Sequence, residues 1–510
     1  MHDTKTKKTL CFSDCSSIKR PSQSVILLIL IAYTVILICL SLLRITDNAI
    51  WGDEGYTIAL SKMTFEDMLL ATAADVHPPL YYIIVQLICG IFGFSIISYR
   101  IASVIPYILL MLFSLTTVRR KWGNIPAVLF ISFASWLGSS IAYNLEIRMY
   151  SWAAFFVLVS YVFLYDILTE NKTYAYVGFV LSSLCAAYTH YYALISVAFF
   201  YAALMIAALI QNKKYMHKTL LTWGITIVAY LPWFFVLVAS YIRSSEDFWL
   251  DSCPSFMECL LFLFDGYTDA CIFLLCFLIV LAAYFLRCYL IHRPKIESTE
   301  CSAHVRILHV NHECFWVLAG ILGILGTIIT GITISKLVRP MFLTRYLYPV
   351  ATVAWLLFGI TCSKLKRRHL YASAVLLFLI AGGAKRYQVN VRNEIMMNAS
   401  LQKTLEATAD ISAQDSVILT DVNHIAWTLS QYYYPDVPVI LVNNADDFLQ
   451  AYPQEKTWFI CSNALSAEYI CGLKEIGINL QAIIENEFLG ERYISIYRLH
   501  HLTEPAETVH

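Results

Sequence analysis

Asp53 and Glu54 are adjacent acids in the string WGDEGYTIAL, Trp51 to Leu60, a few residues after the first long apolar segment. A third acid, Asp75, lies in DVHPPLYY beside His77. A carboxylate at the mouth of an apolar cavity is partly desolvated, and its pKa rises toward neutrality. Such a group accepts a proton from a hydroxyl as the hydroxyl attacks. Asp53 is the first candidate for that work and Asp75 the second, and the two acids could also share a divalent cation. The plain alternative is a set of solvated loop acids. The Gly and aromatic flanks of WGDEGY favour a shaped turn instead.

A second set of residues joins them as candidate substrate contacts, and among these Arg100, Arg148, Arg345 and His77 suit a phosphate. Arg100 stands at a helix start, NLEIRMY supplies Glu146, Arg148 and Tyr150, THYY supplies His190, and RPMFLTRYLYP supplies Arg339, Arg345 and Tyr346. The planar fork of Arg holds two phosphate oxygens at once, and His77 adds another cationic group. Each has a bland explanation too. An Arg at a helix end snorkels to lipid headgroups, Glu146 can simply pair with an Arg, and His190 can be a satisfied structural histidine. Tyr191 and Tyr192 fit an interfacial aromatic belt. Glu146 and Tyr150 are four residues apart and share a face if a helix starts there.

The elements that must position these groups belong to a membrane protein. Of 510 residues, 59% are hydrophobic and 14% charged, and mean hydropathy is +0.63. That composition excludes an ordinary soluble domain and fits a polytopic α-helical membrane protein. Net charge is zero, so nothing points to nucleic acid. Many of the 15 cysteines lie in apolar runs, and no CxxC occurs. Cys461 and Cys471, near the C-terminus, could pair.

Apolar runs of spanning length cover 24–43, 79–98, 101–118, 124–142, 150–168, 174–190, 192–210, 219–240, 269–290, 314–335, 346–361 and 369–384. A helix needs roughly 20 residues to cross a bilayer. The first run follows a basic stretch but is long for a signal peptide and lacks a small-residue cleavage site, so it reads as a retained span. If all twelve cross, the basic clusters RRK (119–121), NKKYMHK (212–218) and KLKRR (364–368) fall outside, against the positive-inside rule. If 79–98 dips in or lies along the interface, all three fall inside. The expectation is therefore about eleven crossings, with interfacial or re-entrant helices in the first outer loop (44–78), which carries the acids. The 1–23 tail is then cytoplasmic, 24–384 forms the membrane domain, and 385–510 lies outside. That last segment alternates SVILTD, VPVILV and TWFIC with NHIAWTLSQYYY, ADDFLQAY and SAEYICGLKEIG, and closes on RYISIYRL. It reads as a small α/β domain. It has no glycine-rich phosphate loop, so a nucleotide site is not expected there.

The same topology gathers Asp53, Glu54, Asp75, His77, Arg100, Glu146, Arg148, Tyr150, His190, Arg345 and Tyr346 on one membrane face. An outward acid, phosphate-binding cations and an apolar cavity open to lipid suit a lipid-linked phosphate. The tail stays in the bilayer, the phosphate sits at the interface and a sugar on it projects outward. An acceptor hydroxyl deprotonated by Asp53 attacks the anomeric carbon from the opposite face, and the configuration inverts.

The ordered strings WGDEGYTIAL, DVHPPLYYIIVQLICGIFG, YRIASVIPYILLMLFSLTTVRRKWG, YNLEIRMYSW, THYYALI and RYLYPV resemble the GT-C glycosyltransferases of family 39, over roughly residues 20–350. That family includes protein O-mannosyltransferases and lipid A aminoarabinose transferases. The resemblance implies a GT-C fold in the cell membrane and a polyprenyl- or dolichyl-phosphate sugar donor. DE maps onto Asp53 and Glu54 as the catalytic acidic motif, DVHPPL places Asp75 and His77 at the donor site, and Arg100 matches the family arginine. LEIRMY looks like a bacterial QEARMY variant, with Leu and Ile in place of Gln and Ala. It keeps Glu146, Arg148 and Tyr150. The resemblance fixes neither sugar nor acceptor, which could be lipid, glycan or protein, and it leaves metal use open. A transporter, polymerase or ligase for lipid-linked glycans is the rival. A transporter should carry midplane charges and a repeat between halves, and the sequence shows neither clearly.

Overall fold

The computed structural model describes residues 22–211, 213–243, 250, 252–265, 269–291, 312–442, 457–462, 473–474, 478–489 and 492–501. Among them, eight helices are long and apolar enough to cross a membrane. In hydrocarbon every backbone polar group needs an internal partner, so long apolar runs fold as helices.

Helix α1 (Gln23–Leu42) starts at Ser22, whose hydroxyl accepts the Val25 amide at 3.3 Å. The segment after it folds as α2 (Gly52–Lys62), α3 (Phe65–Ala74) and α4 (Leu80–Phe92). With 13 residues, α4 is about 20 Å long, short of the roughly 30 Å hydrocarbon core. Then come α5 (Ile96–Phe113), a π-helical turn (Ser114–Val118) and α6 (Arg119–Trp122). Helix α7 (Asn124–Trp136) ends at extended Leu137 and is followed by α8 (Gly138–Tyr143). The body continues with α9 (Tyr150–Glu170), α10 (Thr173–Thr189), α11 (Tyr191–Gln211), α12 (Lys213–Arg243), α13 (Phe256–Phe262), α14 (Ala270–Ile291), α15 (His312–Leu337) and α16 (Tyr348–Ser363). Eight of the eleven expected crossings coincide with the eight long helices. The runs 124–142, 174–190 and 369–384 are occupied by α7 with α8, by the 17-residue α10 and by the first part of α17 (Arg368–Ala407).

Helix α16 is the axis of the body. Every residue from Tyr348 to Cys362 is buried. It packs on α7, α9, α14 and α15, and Trp355 donates its indole N–H to the Leu263 carbonyl at 2.7 Å. Beside it, Tyr161 stacks on Trp316 with ring centroids 4.3 Å apart and donates to the Trp316 carbonyl at 2.7 Å. The short 3-10 segment Thr344–Leu347 leads into α16 and delivers Arg345 and Tyr346 to the end of this rigid core.

Helix α17 is 40 residues long and runs through position 385 without a break. It leads into a five-stranded mixed sheet of order β2-β1-β3-β5-β4, built from β1 (Ser416–Thr420), β2 (Val439–Leu441), β3 (Thr457–Ser462), β4 (Ile478–Leu489) and β5 (Arg492–His501). β1 is parallel to β2 and β3, while β5 is antiparallel to β3 and β4. Four of these strands fall on strings read as β-rich. β4 was not anticipated, because INLQAIIENEFL mixes acids and amides into its apolar positions. ADDFLQAY, most of SAEYICGLKEIG, and Cys471 lie outside the described residues.

The sheet domain is docked on the acid-bearing helix. After β1, α18 (Asn423–Thr428) and a π-helical turn (Leu429–Tyr433) lie against α2. The Tyr433 hydroxyl accepts the Ile50 amide at 2.9 Å and donates to the Asn48 carbonyl at 3.1 Å. Lys62 donates to the Gln431 carbonyl at 2.5 Å, and Trp427 meets Tyr56 edge to face at 6.0 Å. At Gly55 the chains touch. A Cβ there would lie 2.2 Å from Thr428 Oγ1 and 2.8 Å from its Cα. Gly55→Ala is therefore expected to destabilise by about 1–3 kcal/mol through overpacking. Gly90→Ala is the control, since nothing lies within 4 Å of that position. Thermal unfolding in detergent reads the difference, and equal midpoints for the two variants would refute the docking.

Candidate active site

Asp53 and Glu54 occupy the first turn of α2, not an irregular loop. The unpaired N–H groups of a helix N-terminus favour negative charge there. Consecutive helical residues point about 100° apart, so the two acids part company.

Glu54 turns inward. It is 1% exposed and pairs with Arg100, which is 4% exposed, at 2.5 Å. The same Glu54 oxygen accepts the Ile147 amide at 2.8 Å, and the other accepts the Trp51 amide at 3.4 Å. Arg100 spends its remaining donors on the Asp47 carbonyl (3.2 and 3.3 Å) and the Leu145 carbonyl (3.0 Å). Both residues were read from the sequence as substrate contacts. In the fold they are saturated by protein partners and tie α2 and α5 to the loop between α8 and α9.

Asp53 turns outward, its side chain one-third exposed. Its Oδ2 faces Arg345 at 3.3 Å and Arg148 at 3.7 Å. Oδ1 has no hydrogen-bond partner among the described residues. Arg148 is buried and donates to the Asp53 carbonyl at 3.1 Å. Its other fork nitrogen lies 3.4 Å from His77 Nε2. His77 Nδ1 in turn meets Asp75 Oδ2 at 3.2 Å. Burial alone would push the Asp75 carboxyl up. The hydrogen bond and charge of His77, the Val76 amide and Arg148 outweigh it and hold Asp75 below the usual carboxylate range. Tyr56 also hydrogen-bonds Asp75, and burial keeps its phenol protonated.

Behind these groups lies an apolar cavity of about 380 Å³. Leu194 and Ile195 of α11, Leu237 and Val238 of α12 and Ile334 of α15 form its apolar wall. His77, His190, Arg339 and Tyr346 also line it. His190 breaks the chain between α10 and α11 with an extended backbone, and its Nδ1 accepts the Tyr192 amide at 3.1 Å. Burial first, then the nearby His77, Arg148 and Arg345, hold the His190 ring well below the usual imidazole range. It is therefore a neutral imidazole. Its ring packs 5.2 Å from Tyr346, 5.8 Å from Tyr150 and 6.3 Å from His77. The Arg345 guanidinium lies 5.4 Å above the Trp51 ring and 5.8 Å from that of Tyr346.

Glu146 stands in the loop between α8 and α9, near Arg345 and Arg148. Burial, then the neighbouring charges of Glu54 and Asp53, push its carboxyl up to about 8. Among the described residues, four buried polar atoms here meet no hydrogen-bond partner: Glu146 Oε1, Arg148 Nε, Arg345 Nε and the Tyr150 hydroxyl. Buried polar groups are paired as a rule, so orphans grouped in one place mark a site that a ligand completes. Among the described residues, no group of three or more His, Cys, Asp or Glu is arranged to hold a metal ion. Asp53 and Asp75 face arginines and His77 respectively, so the two acids do not fit a shared divalent cation.

The structure thus brings all eleven sequence-derived residues to one end of the body. Trp51, Tyr56 and Thr57 were not singled out. Thr57 Oγ1 meets Arg148 at 3.4 Å. Trp51 and Tyr56 flank the acids within WGDEGY, and Thr57 follows Asp53 by one helical turn. That periodicity was the available signal.

No family model matches the sequence, and no curated protein matches it. Solved structures do. ArnT from Cupriavidus metallidurans in the apo state superposes with a TM-score of 0.62 at 10% identity, covering 93% of this chain and 98% of that one. The same protein bound to undecaprenyl phosphate gives a TM-score of 0.59 at 12% identity, covering 94% and 98%. A polytopic helical body that ends in a small sheet domain, matched over nearly the full length of both chains, gives this protein the GT-C fold.

Proposed function

We propose that the protein is an inverting membrane glycosyltransferase that moves a sugar from a polyprenyl-phosphate donor to an acceptor hydroxyl. The observation that carries the proposal is the junction of an apolar cavity with Asp53, Arg148, Arg345, His77 and a group of orphaned buried polar atoms. The similar ArnT structure with undecaprenyl phosphate supports a lipid of that class. The positive-inside rule applied to the basic clusters supports a site on the outer face, a cytoplasmic N-terminus and an extracytoplasmic 385–510.

The polyprenyl tail occupies the cavity between α11, α12 and α15. Its phosphate takes the free donors of Arg148 and Arg345, beside His77. A phosphate competes with Asp53 for the same guanidiniums, so donor binding loosens the arginines' hold on the carboxylate. Asp53 then accepts the proton of the acceptor hydroxyl while the sugar–phosphate bond breaks. Asp75 orients His77. Glu54 and Arg100 act through the backbone, fixing α2 and the Leu145–Ile147 loop, and are positioning residues.

A transfer assay in proteoliposomes with a panel of radiolabelled undecaprenyl-phosphate sugars tests the assignment. One donor is expected to be consumed, with release of undecaprenyl phosphate and inversion at the anomeric carbon. If no donor is turned over while lipid-linked sugar crosses the bilayer, the protein is a transporter and the assignment fails.

A further inference from the structure

Glu146 is partly exposed, yet one of its carboxyl oxygens, Oε1, is buried and meets no hydrogen-bond partner among the described residues. The two nearby cations, Arg148 and Arg345, turn their fork nitrogens to Asp53 instead. Glu146 forms no ion pair among the described residues. A carboxylate with one oxygen in this state forfeits part of its solvation with no replacement. A neutral carboxylic acid carries a far smaller penalty and offers an O–H donor.

The charges around it agree. Facing Glu146 are Asp53 and Glu54 from α2, Tyr81 from α4, Tyr143 from α8, Arg148 in its own loop, Tyr150 from α9 and Arg345 before α16. Glu54 is already neutralised by Arg100. Arg148 and Arg345 supply two positive charges, and Asp53 supplies one negative. A donor phosphodiester brings one more and the Asp75 carboxylate beside His77 another, so the two arginines leave no positive charge for a further carboxylate. An ionised Glu146 would add a negative charge beside the phosphate.

We propose that Glu146 binds the donor as a neutral carboxylic acid, giving its O–H as a hydrogen bond to the phosphate that Arg148 and Arg345 hold. The inference rests on the phosphate site proposed above and adds a group whose protonation gates that site. The gate follows in sign. The Glu146 carboxyl, raised to about 8, is protonated at neutral pH and ionises as pH rises through that value. Donor affinity is full below it and falls above it.

The test uses the full chain in detergent and undecaprenyl methyl phosphate, a phosphodiester whose single charge does not change between neutral and mildly alkaline pH. Binding is followed by thermophoresis. Wild type is expected to bind about tenfold more weakly at about pH 9 than at about pH 7, since the competent fraction falls by that factor. Glu146→Gln, which keeps an N–H donor and cannot ionise, should bind at both pH values like wild type at neutral pH. Glu146→Asp should restore the alkaline loss. A wild-type affinity that is flat with pH overturns the inference and leaves the phosphate site standing. An alkaline loss that persists in Glu146→Gln overturns it as well. Absence of phosphodiester binding at every pH takes down the phosphate site itself.

Discussion

Glu54→Ala is expected to destabilise the folded body by about 3–5 kcal/mol, the usual cost of removing one partner from a buried ion pair. The carboxylate is 1% exposed and sits 2.5 Å from Arg100, itself 4% exposed. Alanine leaves the buried guanidinium to the carbonyls of Asp47 and Leu145 and to the more distant Asp47 carboxylate at 3.7 Å. It also strips the Ile147 amide of its acceptor at 2.8 Å. Three chain segments then lose their common tie: α2, α5 and the Leu145–Ile147 loop. That loop carries Glu146 and leads into Arg148, so donor binding should fall with stability. Glu54→Gln keeps the shape and one acceptor for Ile147, and should fall between wild type and alanine. The check is the thermal midpoint of detergent-purified protein together with binding of a polyprenyl phosphodiester. An alanine variant that melts like wild type would show that Arg100 finds another partner and that the pair does not hold the site.

Which acid takes which task was not legible from the sequence. WGDEGY announces two carboxylates side by side but gives no helical register. The register is set where α2 begins, at Gly52, and it sends Glu54 to Arg100 and Asp53 to Arg345 and Arg148. The residue types were legible because each carries its chemistry locally: acids beside glycine and aromatics, arginines at helix ends, His190 at a break between two apolar runs. The apolar runs also gave the long helices, since hydropathy alone decides those in a bilayer. Other features depend on tertiary contact and leave weaker traces. Helix α17 continues past residue 384 into a polar, charged stretch, so the fall in hydropathy there marks no break in the helix. The docking of α18 on α2 joins residues more than 370 positions apart. Gly55, facing Thr428, is its local sign. The orphaned atoms of Glu146, Arg148, Arg345 and Tyr150 could not be inferred at all, because satisfaction of a polar group depends on every neighbour it meets.

Asp53→Asn is expected to lower sugar transfer by about 10²–10⁴-fold, the range supplied by a positioned general base, with no change in the thermal midpoint. The side chain is one-third exposed and its Oδ1 makes no hydrogen bond among the described residues, so asparagine fits without strain. What it removes is the capacity to accept a proton. It also removes the negative charge that Arg345 and Arg148 face at 3.3 and 3.7 Å. That second loss separates this role from a structural one. If Asp53 and the donor phosphate compete for the same two guanidiniums, the variant should hold a polyprenyl phosphodiester at least as tightly as wild type while kcat collapses. A carboxylate that merely braced the arginines would do the opposite, loosening the donor and leaving the chemical step intact. Asp75→Asn offers the contrast. Asp75 is engaged by His77 and Tyr56, and its carboxyl is held below the usual range, which makes it the poorer base. Its loss should therefore appear in donor affinity through the freed His77 ring. Turnover by Asp53→Asn above about a tenth of wild type, at saturating donor, would move the base elsewhere in the site, because no positioned carboxylate with a role in proton removal is lost so cheaply.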